Sequence, residues 1–375
     1  MPSTDPVALT QALVRYKTVN PPGEEHDCAH HLGDMLAAAG FDVTYVDAGE
    51  RRTNVVARLG NGAGTPLCFT GHIDTVPLGA QPWRVDPFGG EVVDGRLYGR
   101  GATDMKAGVA AFVAAAIDHA DALAAGPGVV LVITSGEETG CDGAFHLTEQ
   151  AGVLGEAGAM VVAEPTSNQP LVGHKGALWL RAFARGVTAH GSTPEHGDNA
   201  VYKAARMVGA LERFDFGRPA HEVLGRDTLN VGTIAGGMNM NSVPDVCEVG
   251  IDIRTTPGAS HADIRRDLEA DLGGDLAELE TLVDLEGVWT DPGDAWVAEV
   301  YAVMAEMLGE TPVPRGAAFF TDASALTPHY GDIPTVILGP GEAALAHQTD
   351  EYCVVDRITQ AKAAYATLMQ RWSAA

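Results

Sequence analysis

The chain has 375 residues, 46% of them hydrophobic, enough for one large domain or two ordinary ones with a sizeable core. Its formal charge is −26 and only five lysines occur (Lys17, Lys106, Lys175, Lys203, Lys362), which argues against nucleic acid or an anionic membrane as partner. Five scattered cysteines (Cys28, Cys68, Cys141, Cys247, Cys353) without a C-x-x-C read as reduced thiols. The opening MPSTDPVALTQALVRY lacks a basic segment followed by an apolar one, and no apolar run is long enough to span a membrane, so a cytoplasmic protein is expected.

Asp5 is placed to cap a first helix carrying Val7, Leu9, Leu13 and Val14, which Asn20-Pro21-Pro22-Gly23 ends. A second helix is expected over about residues 24–39, stopped by Gly40. It holds His26 and His30 at i, i+4 spacing with Asp27 between, a likeness of the zinc-protease pattern H-E-x-x-H. Aspartate is shorter than the catalytic glutamate and no third ligand follows, so a solvated helix face beside Glu24 and Glu25 is the preferred reading. Residues 41–46, 54–59 and 66–70 read as strands.

The third of these leads into residues 67–76, LCFTGHIDTV. A short apolar run closed by Gly71 places His72 and Asp74 at a strand end, where an open α/β sheet presents chemistry. An imidazole there can bind a metal through one nitrogen while a nearby carboxylate takes the N–H of the other. The plainer reading is a polar loop after a strand. Next come LYGRGATDMKAG and an apolar helix over 109–117. The glycine-rich turn lacks the G-K-[ST] order of a P-loop, and Asp104 reads better as a carboxylate held rigid by glycines. Residues 129–134 (VVLVIT) are a buried strand followed by Ser135-Gly136-Glu137-Glu138-Thr139-Gly140, and the run 160–163 is followed by Glu164. Acids thus recur at strand ends, and adjacent glutamates there are costly unless something positive offsets them.

From about Gly176 the pattern changes. Strands over 178–184, 228–234, 246–255 and 279–285 and helices over 200–211 and 261–272 give the order β-α-β-β-α-β, a ferredoxin-like unit. It reads as an insertion, because α/β character resumes with a helix over 294–308, a strand over 335–338 and a closing helix over 355–372. The expected division is residues 1–175 with 289–375, and 176–288.

His72, Asp104, Glu138, Glu164 and His347 at strand-edge loops suit zinc, and also cobalt or manganese. Five ligands exceed the need of one tetrahedral ion. If one carboxylate bridges, two ions about 3.5–4 Å apart each have three protein ligands and share a water. Glu137 is left over beside Glu138 and can act as general base toward that water.

GHIDTV, LYGRGATDMKAG, SGEETG, AEPT and AHQTDEY, in this order, resemble the di-zinc deacylase and exopeptidase family of acetylornithine deacetylase, succinyl-diaminopimelate desuccinylase and carboxypeptidase G, over nearly the whole chain. The resemblance implies an α/β zinc-peptidase-like catalytic domain, with a central mixed sheet flanked by helices, and an inserted lid and dimerisation domain. It implies His72 and Glu164 on one zinc, Glu138 and His347 on the other, Asp104 bridging, Glu137 as base and Asp74 as partner of His72. TAHGS resembles the segment whose histidine, here His190, steadies the oxyanion in a partner's site. GGMNMNSVP, with Asn239 and Asn241, resembles a substrate loop, Asp252-Ile253-Arg254 the strand whose arginine meets a substrate carboxylate, and Gly341 falls in a further substrate-binding loop. A polar turn for His190 and a surface ion pair for Arg254 are the alternatives. The activity implied is hydrolysis of an N-acyl amino acid amide by a homodimer, the ending GPGEAALAHQTDEY leaning toward the deacetylase. A dipeptidase or carboxypeptidase is the runner-up, and a non-catalytic metal- or amino-acid-binding protein the reading from another class.

Overall fold

The computed structural model describes residues 3–374. The chain forms two compact units. One comprises the residues up to Gly173, Trp289–Arg315 and the residues from Thr321 on; the other His174–Val288 with Gly316–Phe320. The stretch Gly316–Phe320, expected in the first, clusters with the second, where Lys175 donates its backbone N–H to Ala317 at 3.0 Å.

The first unit is built on a six-stranded mixed sheet in the order Asp42–Gly49, Arg52–Leu59, Val129–Thr134, Leu67–His72, Ala159–Val162, Thr335–Ile337. The last four run parallel, and the first two form an antiparallel edge. The parallel strands are buried along their whole length, as continuous Val/Ile/Leu-rich runs require when both faces of a sheet are covered. The helix Ala107–Asp118 buries ten of its residues, so it reads as apolar all round rather than as one stripe. Phe69 on the sheet meets Phe112 of that helix at 6.0 Å and Tyr365 of the closing helix Val355–Ala374 at 5.3 Å. All three rings are fully buried, each stabilising the unit by roughly 1.5–3 kcal/mol. Gly71 has a specific steric role: a Cβ there would lie 2.6 Å from Met105 Cε and 2.9 Å from Val109. Its absence lets the turn Ala102–Lys106, with its cis Asp104–Met105 peptide, settle over the end of Leu67–His72.

The second unit is an antiparallel sheet in the order Thr228–Gly236, Val246–Thr255, Gly176–Arg185, Glu278–Leu285, with helices Ala200–Leu211 and His261–Leu272, giving the chain order βαββαβ. Val246–Thr255 alternates strictly: Cys247, Val249, Ile251 and Ile253 enter the core while Glu248, Asp252 and Arg254 face out. Asn199 accepts from the backbone N–H groups of Val201 and Tyr202, and Ser260 from that of Asp263, starting the two helices. Thr228–Gly236 is an edge strand with little burial.

Candidate functional site

Four parallel strands deliver the site at their carboxyl edge. Leu67–His72 ends on His72, Val129–Thr134 feeds the loop with Glu137 and Glu138, Ala159–Val162 leads to Glu164, and Thr335–Ile337 precedes the loop with His347. Asp104 comes from the turn that opens the helix Ala107–Asp118.

The side chains converge on two imidazoles. His72 Nε2 lies 3.3 Å from Asp104 Oδ1, 3.7 Å from Glu164 and 3.9 Å from Glu137. His347 Nε2 lies 2.9 Å from Glu138 and 3.4 Å from Asp104 Oδ2. Asp104 therefore turns one oxygen to each histidine. Two ligand sets form within 4.8 Å, His72 with Glu137 and Glu164, and His72 with Asp104 and Glu138. Glu137, left over in the sequence reading, is thus within reach of the same imidazole as the expected ligands.

Four carboxylates crowd this volume. Burial, reinforced by the neighbouring acids, pushes Glu137 and Glu164 well above the usual carboxylate range, and burial with Asp104 raises Glu138. Burial opposes charge on His72, but Asp104, Asp74, Glu164 and Glu137 override it and hold the imidazole well above its ordinary value. His347, half exposed, is lifted to about 10 by Asp104 and Glu138. Asp104, in spite of its burial, is held low by His347 and His72. The donor set has more negative charge than two imidazolium groups neutralise, and its oxygens and nitrogens are of the kind that hold divalent cations. It fits the pair of ions that the motifs imply.

Beside His72, Asp74 is fully buried. Its carboxylate lies 3.4 Å from His72 Nδ1, while its backbone oxygen lies nearer, at 3.0 Å. The same carboxylate accepts from Asn20 Nδ2 at 2.9 Å and from the backbone N–H groups of Glu137 and Glu138 at 3.2 and 3.3 Å. It therefore orients the loop of Glu137 and Glu138 as well as the histidine. Sequence reasoning missed three buried residues here. Asp322 accepts from Thr134 Oγ1 at 2.5 Å, and burial lifts its carboxyl to about 6. Glu351 and Arg100 form an ion pair at 2.5 Å behind Asp104. Both lie inside quoted motifs, GRG and TDEY, and a charge flanked by glycines or set beside a ligand loop was the available signal.

His26 and His30 are 4.3 Å apart ring to ring, His26 Nδ1 meets Thr53 Oγ1 at 3.0 Å, and His30 stacks on Tyr45 at 4.1 Å. The face is less solvated than expected: Glu25 is fully buried, 3.5 Å from Arg52, and burial, with Asp74 adding to it, raises its carboxyl to about 7. In the second unit, His190 is exposed, with Nδ1 2.8 Å from Ser192 Oγ. Asn239 and Asn241 sit in an exposed loop beyond Thr228–Gly236, and Asn241 accepts from the Gly191 N–H at 2.7 Å. Arg254 forks onto Asp252 at 2.9 and 3.3 Å, with Trp179 and Phe320 rings 5.7 and 5.6 Å away, which is the ion pair weighed as its alternative. Gly341, in the first unit, is buried, and a Cβ there would lie 2.1 Å from Thr103 O. Two backbones touch at that point, which binds the loop of His347 to the turn of Asp104.

The profile of peptidase family M20/M25/M40 matches residues 68–371. Succinyl-diaminopimelate desuccinylase of Cereibacter sphaeroides is 36% identical over 387 aligned residues, covering 99% of each chain. The same enzyme of Roseobacter denitrificans is 33% identical, over 98% of this chain and 99% of its own. Among solved structures, an M20 family metallo-carboxypeptidase of Sulfolobus solfataricus superposes with a TM-score of 0.83 at 17% identity, over 99% of this chain and 100% of that one. A dinuclear metal-binding peptidase of the M20 family from Bacillus subtilis gives 0.72 at 17% identity, over 99% and 98%. Structural likeness at these identities speaks for the fold.

Proposed function

The chain belongs to peptidase family M20/M25/M40, and on that premise we propose that it is a metal-dependent amide hydrolase acting on an N-acyl amino acid, with the N-succinyl amide of a diamino acid as first candidate. The name of the relatives supports a succinyl group over the acetyl group toward which the C-terminal motif leans. The single observation that carries the reading is Asp104, whose two oxygens face two different histidines.

His72 and Glu164 would hold one ion, His347 and Glu138 the other, and Asp104 both. Zinc is the native metal proposed, with cobalt or manganese able to substitute. Bound there, the ions supply Lewis acidity toward the amide carbonyl and acidify water. Glu137, only 5% exposed, accepts the proton of the attacking water and delivers it to the leaving amine. Asp74 holds the Glu137 backbone in place for that transfer. Arg254 exchanges Asp252 for a substrate carboxylate, a bidentate bond its fork is built to make, and Asn239, Asn241 and Gly341 complete the substrate loops. His190 donates to the developing oxyanion from a partner protomer. The second unit acts as lid and dimer contact in this reading. Its edge strand Thr228–Gly236 exposes Ile234, and the loop beyond it exposes Met238 and Met240, which supports pairing with a second copy. No described helix is long and apolar enough to cross a membrane, and we place the enzyme in the cytoplasm.

Turnover of N-succinyl, N-acetyl and dipeptide amides with added Zn²⁺ or Co²⁺ tests the reading. The N-succinyl diamino acid is expected to give the highest kcat/KM. Hydrolysis of dipeptides alone would replace the substrate class, and no amide hydrolysis with either metal would overturn the function.

A further inference from the structure

Every ligand proposed for the ions except two rests directly on the end of a core strand or on the loop that Asp74 anchors. Asp104 and His347 are the exceptions, carried by a turn and a loop that are far apart in sequence. One buried ion pair ties them together. Glu351 Oε1 accepts from the backbone N–H groups of Thr103 at 2.8 Å and of Asp104 at 3.1 Å. Glu351 Oε2 accepts from Arg100 Nη1 at 2.5 Å. The other hydrogen bonds of the guanidinium go to backbone carbonyls, Gln348 at 3.3 Å, Pro77 at 3.2 Å and His347 itself at 3.5 Å, and the Trp83 ring lies 5.3 Å from it. Arg100 and Glu351 are 1% and 0% exposed.

The backbone around His347 needs such support. His347 has φ 63° and Asp350 φ 61°, left-handed conformations that non-glycine residues hold only when their surroundings impose them. Asp350 is fixed by the backbone N–H and Nε of Arg84 at 2.8 and 2.6 Å. The His347 carbonyl is held by Arg100. Pairing of Tyr352–Val354 with Arg96–Tyr98 then sets the distance between the two segments.

We propose that Arg100 and Glu351 are positioning residues that clamp the bridging carboxylate of Asp104 to the loop of His347, and so set the affinity of one of the two metal sites, the one formed by His347 and Glu138. The inference rests on the two-ion reading above. It differs from a general stabilising role because it is asymmetric. His72 lies on the core strand and has Asp74 behind it, and Glu164 follows its own strand, so the ion they share with Asp104 loses less when the clamp is opened.

The test is a titration of the metal-stripped full-length protein with Co²⁺, followed by visible absorption and by calorimetry, beside a thermal melt of each metal-free protein. Glu351→Gln keeps an acceptor for the two N–H groups but removes the charge facing Arg100. Arg100→Lys keeps that charge but loses the fork on the His347, Gln348 and Pro77 carbonyls, and it carries the test if Glu351→Gln does not fold. Wild-type protein is expected to bind in two steps. Either variant is expected to weaken one step about 10–100-fold, the range for residues that orient metal ligands, while shifting the other less than about threefold. Two steps in wild type and the same two affinities in both variants would overturn the clamp alone. Equal weakening of both steps together with a lowered melting temperature would reduce the pair to a structural role and also overturn it. One step in wild type would overturn the two-ion reading and the clamp with it.

Discussion

Glu137→Gln separates proton transfer from metal binding. Glu137 and Glu138 are neighbours, but their surroundings differ. Glu138 lies 2.9 Å from His347 Nε2, whereas Glu137 is 3.9 Å from His72 Nε2, farther than Asp104 or Glu164. Glutamine has the shape of glutamate, so the 5% exposed site keeps its packing, and the backbone N–H of residue 137 keeps its bond to Asp74. Removing one of four crowded carboxylates also eases their mutual repulsion, so the metal-free protein is expected to melt no lower than wild type. What is lost is the proton acceptor. A positioned base contributes about 10²–10⁴ in rate, or roughly 3–5 kcal/mol of barrier. The assay is kcat on the best N-acyl substrate, beside the metal content of the dialysed protein. Glu137→Gln is expected to keep its metal and lose that factor, while Glu138→Gln loses metal. Wild-type kcat in Glu137→Gln, or the reverse pattern of metal loss, would refute the assignment.

Arg254→Ala is expected to lower kcat/KM by about tenfold or more for free-acid substrates and much less for their amides, because a bidentate carboxylate contact is lost; equal losses on both would leave only the ion pair with Asp252. His190→Ala and Glu137→Gln, each crippled alone, are expected to regain about a quarter of wild-type activity when mixed and refolded, since roughly half the dimers would then hold one intact site; verified mixed dimers without activity would exclude action in the partner's site. His174 gives a further pH dependence: it is fully buried, and desolvation lowers its pKa from 6.5 to about 4. The unfolded chain binds the proton first, so this contribution to stability is complete above pH 6.5 and is lost as pH falls toward 4. That amounts to about 2 kcal/mol between pH 7 and pH 5. Urea midpoints of wild type and His174→Asn are expected to converge on acidification, and parallel curves would show that His174 does not carry the effect.

The sequence was most legible where a single local rule decides the structure. VVLVIT is apolar throughout, and the strand Val129–Thr134 occupies those residues. The helices expected over 200–211 and 261–272 are present as Ala200–Leu211 and His261–Leu272. The acids at strand ends could be read as one site because parallel strands bring their carboxyl ends together. What stayed hidden depends on contacts distant in sequence. Glu351 meets the Thr103 N–H across 248 positions, and Thr134 meets Asp322 across 188. Strands of three residues, Arg96–Tyr98 and Tyr352–Val354, are too short to show a period. The face around His26 and His30 misled in another way: Glu25 looked like a solvated charge and is buried against Arg52. Arg254 shows the remaining gap, since the fork that would serve a substrate carboxylate bonds Asp252 two residues away.

In the proposed mechanism Asp104 joins two ions in one hydrolytic centre. Anomalous diffraction from crystals of the zinc-loaded protein, recorded above and below the zinc edge, tests it most directly. Two peaks are predicted, one about 2.0–2.2 Å from ligand atoms of His72 and Glu164, the other at the same distance from His347 and Glu138, each contacting a different oxygen of Asp104. A single peak in the site, two peaks that do not share Asp104, or zinc at His26 and His30 instead would contradict it.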